Sequence, residues 1–289
     1  MQTWSAFFSP KGERFLKENI ALALEEDGKE LTARGIFSEK SMLTAFIRAK
    51  EETYVVGLPL IAYVFQAMSQ PFSWKAHVRE GALVQNKTVV ATIQAKAIAL
   101  LKAERVILNY ICHLSGIANL TARYVHELKG TGVELLDTRK TTPGLRWPEK
   151  YAIQVGGAKN HRKDLEEMLM LKDNHIDAVG SITKACARLR ACYQNCPPIE
   201  VECRTLTHVD EAVAANVSRI MLDNMSLDLL KKALPRIPAT IEAEVSGGVT
   251  LETIRSIALV SPRRPDFISV GRLTHSARAA DFSMLLEKN

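Results

Sequence analysis

From about residue 133 onward, short apolar runs alternate with helix-like stretches, and this rhythm leaves few folds open. The runs are VELLD at 133–137, MLMLK at 168–172, IEVE at 199–202, RIMLD at 219–223, IEAEV at 241–245 and DFISV at 266–270. Between the later ones lie ITKACARLRACY, HVDEAVAAN, SLDLLKKAL and LETIRSIAL, whose apolar residues recur at helical spacing. Strand then helix, repeated, with little alternation read inside the strands, predicts a parallel sheet covered on its outer face. A closed or nearly closed barrel is the form this predicts.

The residues just past each run carry the functional information. In chain order come Asp137-Thr138-Arg139-Lys140, Lys172-Asp173-Asn174-His175, Glu202, Asp223-Asn224, Ser246-Gly247-Gly248 and Gly271-Arg272. In a β/α barrel the carboxyl ends of the strands meet at one rim, where active sites form. Six separate segments are thus expected at one mouth.

Their chemistry suits polyanions. Arg139 and Lys140 sit on a loop that Pro143-Gly144 turns. Arg offers a planar fork to carboxylate or phosphate, whereas Lys offers a mobile point charge, so the two can divide those tasks; a solvated basic loop is the alternative. VGGAKNHRKDL at 155–165 adds Gly156-Gly157 and the donors Asn160, His161 and Arg162, in a pattern that is neither a dinucleotide fingerprint nor a phosphate-binding P-loop. Its plain reading is a helix-ending turn. Lys172 ends a wholly apolar run, where its charge calls for an anion. Glu202 and Asp223 close neighbouring strands and can accept sugar hydroxyls, help hold a hydrated Mg²⁺, or pair with Lys140 or Lys172. The glycine-bearing loops of VSGGVT and SVGRLTHS come after the last two strands, which is where barrel enzymes often bind phosphate.

The first hundred residues read differently. Residues 13–26 and 58–68 have helical spacing, while 42–50, 53–57, 74–78 and 88–97 are alternating or β-branched, which predicts a small α+β unit. Two further helices, 98–113 and 116–128, are expected to join it to the barrel. The 289 residues suffice for one large or two smaller domains. No stretch approaches the roughly 18–20 uncharged apolar residues of a membrane span, and the N-terminus lacks a signal-peptide pattern, so a soluble cytoplasmic protein is expected. The odd set Cys112, Cys186, Cys192, Cys196 and Cys203 fits reduced thiols, and no zinc set is completed. The net charge of +6 is spread along the chain without dense basic runs, which argues against nucleic acid.

DTRKTTPGLR, GGAKNHR, LKDNHI, IEVE, IMLDNM, EVSGG and ISVGRLTHS, in this order, together resemble the quinolinate phosphoribosyltransferase family. LLKAERVILNYICHLSGIAN at 100–119 is similar to that family's domain-connecting helices, so the likeness runs from about residue 20 to 285. The resemblance implies an N-terminal α/β sandwich domain, residues 1–113 joined by the returning segment 274–289, and an incomplete, open α/β barrel of about six parallel strands over 114–273. It implies a homodimer or larger assembly in which Arg105, in an AER matching the family's GER, reaches the neighbouring active site.

The implied reaction joins quinolinate to phosphoribosyl pyrophosphate with loss of CO₂, giving nicotinate mononucleotide and pyrophosphate in NAD biosynthesis. By resemblance Arg105, Arg139, His161 and Arg162 grip the quinolinate carboxylates, and Lys140 and Lys172 lie between pyridine and diphosphate. Glu202 and Asp223 face the ribose and an Mg²⁺ carried with the diphosphate; no metal site held by the protein alone is implied. Ser246, Gly247, Gly248, Gly271 and His275 match the ribose 5′-phosphate site. Three departures from the usual pattern stand out: EEDGKELTA at 25–33, Lys159 in place of a small or hydroxyl residue, and Arg272 in place of alanine. The two cations either tune the mouth or project into solvent.

Rival readings are a related phosphoribosyltransferase acting on another aromatic acid, a Schiff-base aldolase using Lys140 or Lys172, and a non-catalytic carrier or RNA-binding protein. The full TTPGLR and NHR motifs disfavour the first, borohydride trapping tests the second, and the polar strand ends are unexplained by the third.

Overall fold

A computed structural model describes residues 2–287 and divides the chain into two compact units. The first comprises 1–122, 141–157 and 272–289, the second 123–140 and 158–271. These breaks differ from the 113/114 and 273/274 boundaries expected from the sequence, and the segment 141–157 returns to the first unit. Met1, Lys288 and Asn289, which fall in the ranges expected for the first domain, lie outside the described residues.

In the first unit, β1 (Met42–Ala49), β2 (Thr53–Tyr54), β3 (Phe72–Ala76), β4 (Leu83–Val84) and β5 (Val89–Lys96) precede a long helix, and the C-terminal strand Phe282–Leu286 returns. Four strands form an antiparallel sheet in the order C-terminal strand, β1, β5, β3, while β2 pairs with β4. Alternation sets the faces: Ala45, Ile47 and Ala49 of β1 and Ala91, Ile93 and Ala95 of β5 are buried, with Phe46, Arg48, Thr92 and Gln94 between them. The helix Pro10–Glu26 starts where the Ser9 hydroxyl accepts from the Gly12 N–H and Pro10 opens the first turn; it buries Leu16, Ile20 and Leu24. In the helix Leu60–Ala67, Phe65 lies flat on Phe72 of β3, with centroids 4.9 Å apart.

The helices expected at 98–113 and 116–128 are one, Ala97–Leu128, which runs straight through Ser115-Gly116. Gly116 is there for packing: a Cβ on it would lie 2.1 Å from the Arg278 carbonyl oxygen. Gly156 likewise ends the helix Arg146–Val155 against Thr121, where a Cβ would lie 2.5 Å from the threonine Cβ. The glycine pair at 156–157 is thus the helix-ending turn. That helix is held by Glu149, fully buried, whose Oε1 lies 2.8 Å from His113 Nε2 and whose Oε2 accepts from the Thr142 N–H at 3.2 Å.

The second unit is one six-stranded parallel sheet of β6 (Glu134–Leu136), β7 (Leu169–Leu171), β8 (Ile199–Cys203), β9 (Arg219–Asp223), β10 (Glu242–Ser246) and β11 (Phe267–Ser269). Its order is β6-β11-β10-β9-β8-β7, every pairing parallel, with β6 and β7 at the edges. A closed barrel is therefore not formed; the incomplete barrel is. Side-chain hydroxyls of Ser181, Thr205 and Ser226 cap the helices Ile182–Cys192, Leu206–Ala214 and Leu227–Ala233. The strands alternate more than the sequence reading allowed: Glu200 and Glu202 on β8, Met221 and Asp223 on β9, and Glu244 and Ser246 on β10 share faces because the strand period is two. All five cysteines are free thiols.

Ala usually stabilises a helix relative to Gly, by about 0.5–1 kcal/mol. At Gly116 the contact with the Arg278 carbonyl reverses the sign, and Gly116→Ala is expected to cost about 1–3 kcal/mol. Urea denaturation midpoints check this; a stabilised variant would refute the close packing.

Candidate active site

Because all six strands run parallel, their carboxyl ends lie at one end of the sheet. There a cavity of about 270 Å³ is lined by Thr138, Arg139 and Lys140 after β6, His161 and Arg162, Met170 and Lys172 from β7, Glu202 from β8, Met221 and Asp223 from β9, Ser246 from β10 and Ser269 from β11. Eight of the residues singled out in the sequence thus meet: Arg139, Lys140, His161, Arg162, Lys172, Glu202, Asp223 and Ser246. Gly247, Gly248 and Gly271 come after their strand ends but are not among the lining residues. Arg105, exposed on the helix Ala97–Leu128, and His275 belong to the first unit.

The cations are arranged for an anion. Burial, and then the charge of Arg139, hold the Arg162 guanidinium below its ordinary value, so two like charges face the same space. Arg162 is fixed by donating from Nη1 to the Met168 carbonyl at 2.9 Å and from Nη2 to Met170 Sδ at 3.5 Å. The Nε of Arg139 is buried and finds no hydrogen-bond partner among the described residues. A buried guanidinium N–H without an acceptor is costly, and an entering carboxylate or phosphate removes that cost.

His161 lines the cavity, and its backbone and ring are both tied to neighbouring residues. Its backbone N–H donates to Asp137 Oδ1 at 2.8 Å, and its Nδ1 accepts from the Arg162 N–H at 2.7 Å. The ring proton is therefore on Nε2, which lies 3.0 Å from Glu200 Oε2 and 3.5 Å from Glu244 Oε2. The ring is thus held by the Arg162 N–H on one side and lies beside two buried glutamates on the other, at the lining of the cavity. Asp137, also buried, accepts in addition from Asn160 Nδ2 at 2.7 Å.

Glu200 and Glu244 are fully buried beneath the cavity. Burial pushes both carboxyls up to about 7; Glu200 raises Glu244 further, while Arg219 pulls both back down. Both lie beside the same His161 nitrogen, and the charge of one disfavours the charge of the other. Arg219 Nη1 lies 3.2 Å from Glu244 Oε2 and its Nη2 2.7 Å from Glu242 Oε2, and its guanidinium stacks on the Phe267 ring at 4.4 Å. His161, Glu200 and Glu244 bring one potential metal-ligand atom each within 4.8 Å, but Arg219 already supplies the compensating charge. This layer was missed in the sequence; its signal is the alternation of acid and apolar residues in IEVE and EAEVS.

At the rim, Glu202 and Asp223 are shielded, with side chains 10% and 15% exposed. Lys172 Nζ lies 4.0 Å from Glu202 Oε2, one of the pairings expected. Arg204, not singled out in the sequence, reaches Asp173, Glu202 and Asp223. Gly247 (φ 91°) and Gly248 (φ 63°) adopt the left-handed region after Ser246, and a Cβ on Gly247 would lie 2.3 Å from Asn224 Oδ1. The next helix starts only at Ile254, so this loop is a glycine turn and not a helix N-terminus. Lys159 is exposed and pairs with Glu134 at 2.6 Å, and Arg272 is also exposed.

Preorganised cations around a cavity at the carboxyl ends of parallel strands, with a left-handed glycine turn beside them, define an α/β-barrel enzyme site for polyanionic small molecules. Residues 30–115 match the family described as quinolinate phosphoribosyl transferase, N-terminal domain, and 117–285 its C-terminal domain. The chain is 41% identical over 262 residues, 90% of this chain and 89% of the other, to the probable nicotinate-nucleotide pyrophosphorylase (carboxylating) of Bacillus subtilis. It is 34% identical, over 94% of this chain and 82% of the other, to quinolinate phosphoribosyltransferase (decarboxylating) 1b of Nicotiana tabacum. The crystal structure of NadC from Streptococcus pyogenes superposes with a TM-score of 0.88 at 38% identity, covering 97% of this chain and 98% of that one. The chain belongs to the quinolinate phosphoribosyltransferase family.

A carboxyl that titrates near 7 when folded and near 4.5 when unfolded contributes stability below pH 4.5, and that contribution is lost as pH rises to about 7. Glu244→Gln removes one of the two titrating groups and the repulsion on the other. The fall in unfolding free energy between pH 5 and pH 7 is expected to be shallower in this variant than in the parent protein. Denaturant titrations at both pH values measure it; identical slopes would refute the raised carboxyls of Glu200 and Glu244.

Proposed function

We propose that this chain transfers the phosphoribosyl group of phosphoribosyl pyrophosphate to quinolinate with decarboxylation, giving nicotinate mononucleotide, pyrophosphate and CO₂ in de novo NAD biosynthesis. The observation that carries the reading is the paired guanidinium arrangement of Arg139 and Arg162, with a buried N–H on Arg139 that lacks a partner among the described residues. That arrangement suits a rigid dicarboxylate. Family membership supplies the substrate class.

In this reading Arg139, His161 and Arg162 bind the quinolinate carboxylates, and the His161 ring also accepts from the Arg162 N–H. Lys140 and Lys172 stand between the pyridine and the diphosphate, where negative charge grows on the leaving group as the sugar becomes cationic. Glu202 and Asp223 accept from the ribose hydroxyls and face the Mg²⁺ that arrives with the diphosphate. Ser246, Gly247, Gly248, Gly271 and His275 take the 5′-phosphate, for which the left-handed glycine pair leaves backbone N–H groups accessible. The pyridine nitrogen attacks C1 with its own lone pair, so positioning and fixed charge carry the catalysis. Arg105 of the partner subunit completes the mouth in a homodimer or larger assembly. Among the described residues no helix is long and apolar enough to cross a membrane, which fits a cytoplasmic enzyme.

Incubation with carboxyl-labelled quinolinate, phosphoribosyl pyrophosphate and Mg²⁺ is expected to release labelled CO₂; no release, or equal turnover of nicotinate, would overturn the assignment. A charged hydrogen bond contributes about 1.5–3 kcal/mol, so Arg139→Ala is expected to lower kcat/KM by about ten- to a hundredfold or more. Mixing the separately inactive Arg105→Ala and Lys172→Ala proteins is expected to restore part of the activity. Absence of recovery would count against a mouth shared between subunits.

A further inference from the structure

Arg204 directly follows β8 and precedes the helix cap Thr205. Its Nη2 lies 2.8 Å from Asp173 Oδ2 and 3.1 Å from Glu202 Oε1, and its Nε lies 3.8 Å from Asp223 Oδ2. One guanidinium therefore spans carboxylates from three segments: the start of the helix after β7, the end of β8 and the end of β9. Two of these, Glu202 and Asp223, line the cavity; Arg204 itself is not among the lining residues. The acids are shielded, at 10% and 15% exposure, whereas Arg204 is 50% exposed. The other cation close to Glu202 is Lys172, at 4.0 Å.

Two shielded carboxylates facing one another repel unless a cation stands between them. Before substrate enters, Arg204 is that cation, and it holds Glu202 and Asp223 side by side. When the sugar diphosphate arrives with Mg²⁺, the metal seeks carboxylate oxygens of this kind. The guanidinium and the divalent cation then compete for the same acids. An ion pair whose cation is half in solvent is weakly held, so Arg204 can yield and swing outward without disturbing β8.

We propose that Arg204 is a positioning residue that acts as a built-in, displaceable counter-ion for Glu202 and Asp223 and so sets the concentration of divalent cation the enzyme needs. The proposal rests on the phosphoribosyl-transfer reading for its metal, but its first test needs no turnover. Binding of Mn²⁺ to the full-length protein in the presence of phosphoribosyl pyrophosphate, followed by the water-proton relaxation enhancement of protein-bound Mn²⁺, is expected to tighten about three- to tenfold in Arg204→Gln, because a competing charge is gone. Arg204→Lys, which keeps the charge, is expected within about twofold of the parent. In turnover, the Mg²⁺ concentration for half-maximal rate should fall in Arg204→Gln by the same factor while the KM for quinolinate stays unchanged. Equal Mn²⁺ affinity in parent and Arg204→Gln, including no binding by either, would overturn the proposal, as would weaker binding in the variant. Absence of labelled CO₂ release by the parent protein would instead remove the activity reading and leave the Mn²⁺ comparison to be judged on its own.

Discussion

Charge placed inside a parallel sheet must be balanced where it stands, because water is not there to do it. Here the balance is struck in a layer beneath the cavity: burial raises the carboxyls of Glu200 and Glu244, Arg219 neutralises from one side and the His161 ring closes the other. The rest of the site depends on it. His161 can accept from the Arg162 backbone only because its own proton is directed at the glutamates, and that bond fixes the start of the residue that faces Arg139. A hydrophobic layer of the same volume would support the sheet equally well, but it would leave the His161 ring without a reason to hold one orientation.

Much of the architecture is legible in the residue pattern. All six apolar runs of the second unit contain strands, and the polar residue expected at each strand's end stands at the common end of the sheet. Eight of the site residues line one cavity. The features that are not legible arise from physics that acts across the chain. Ser115-Gly116 looks like a break between helices, yet the helix continues because Gly116 lets the Arg278 backbone approach. The motif gives no sign that the His161 ring accepts from the Arg162 N–H or lies 3.0 Å from Glu200, because Glu200 is on a strand far off in sequence. Arg204 lies one residue past a strand, where a solvated side chain is the ordinary outcome; its three acidic partners come from segments separated in sequence.

The site itself is a set of unfavourable arrangements that a ligand relieves. Arg139 and Arg162 repel, and the buried Nε of Arg139 lacks an acceptor among the described residues. On the opposite side, Glu202 and Asp223 are held together by a borrowed cation. Both arrangements favour exchange of partners: a carboxylate or phosphate oxygen can accept from Arg139, and a divalent cation can take the place of Arg204. Such preorganisation leaves little reorganisation for the moment of bond exchange.

The strand order has a consequence for the birth of the enzyme. β6 opens the second unit in sequence, but its neighbour is β11, the last strand of that unit, with Phe267 opposite Glu134. On the ribosome, Arg139 and Lys140 therefore emerge early and wait beside an unpaired strand until nearly the whole chain has been made. A nascent chain stalled before β11 has the cationic loop after β6 but lacks the strand that pairs with β6.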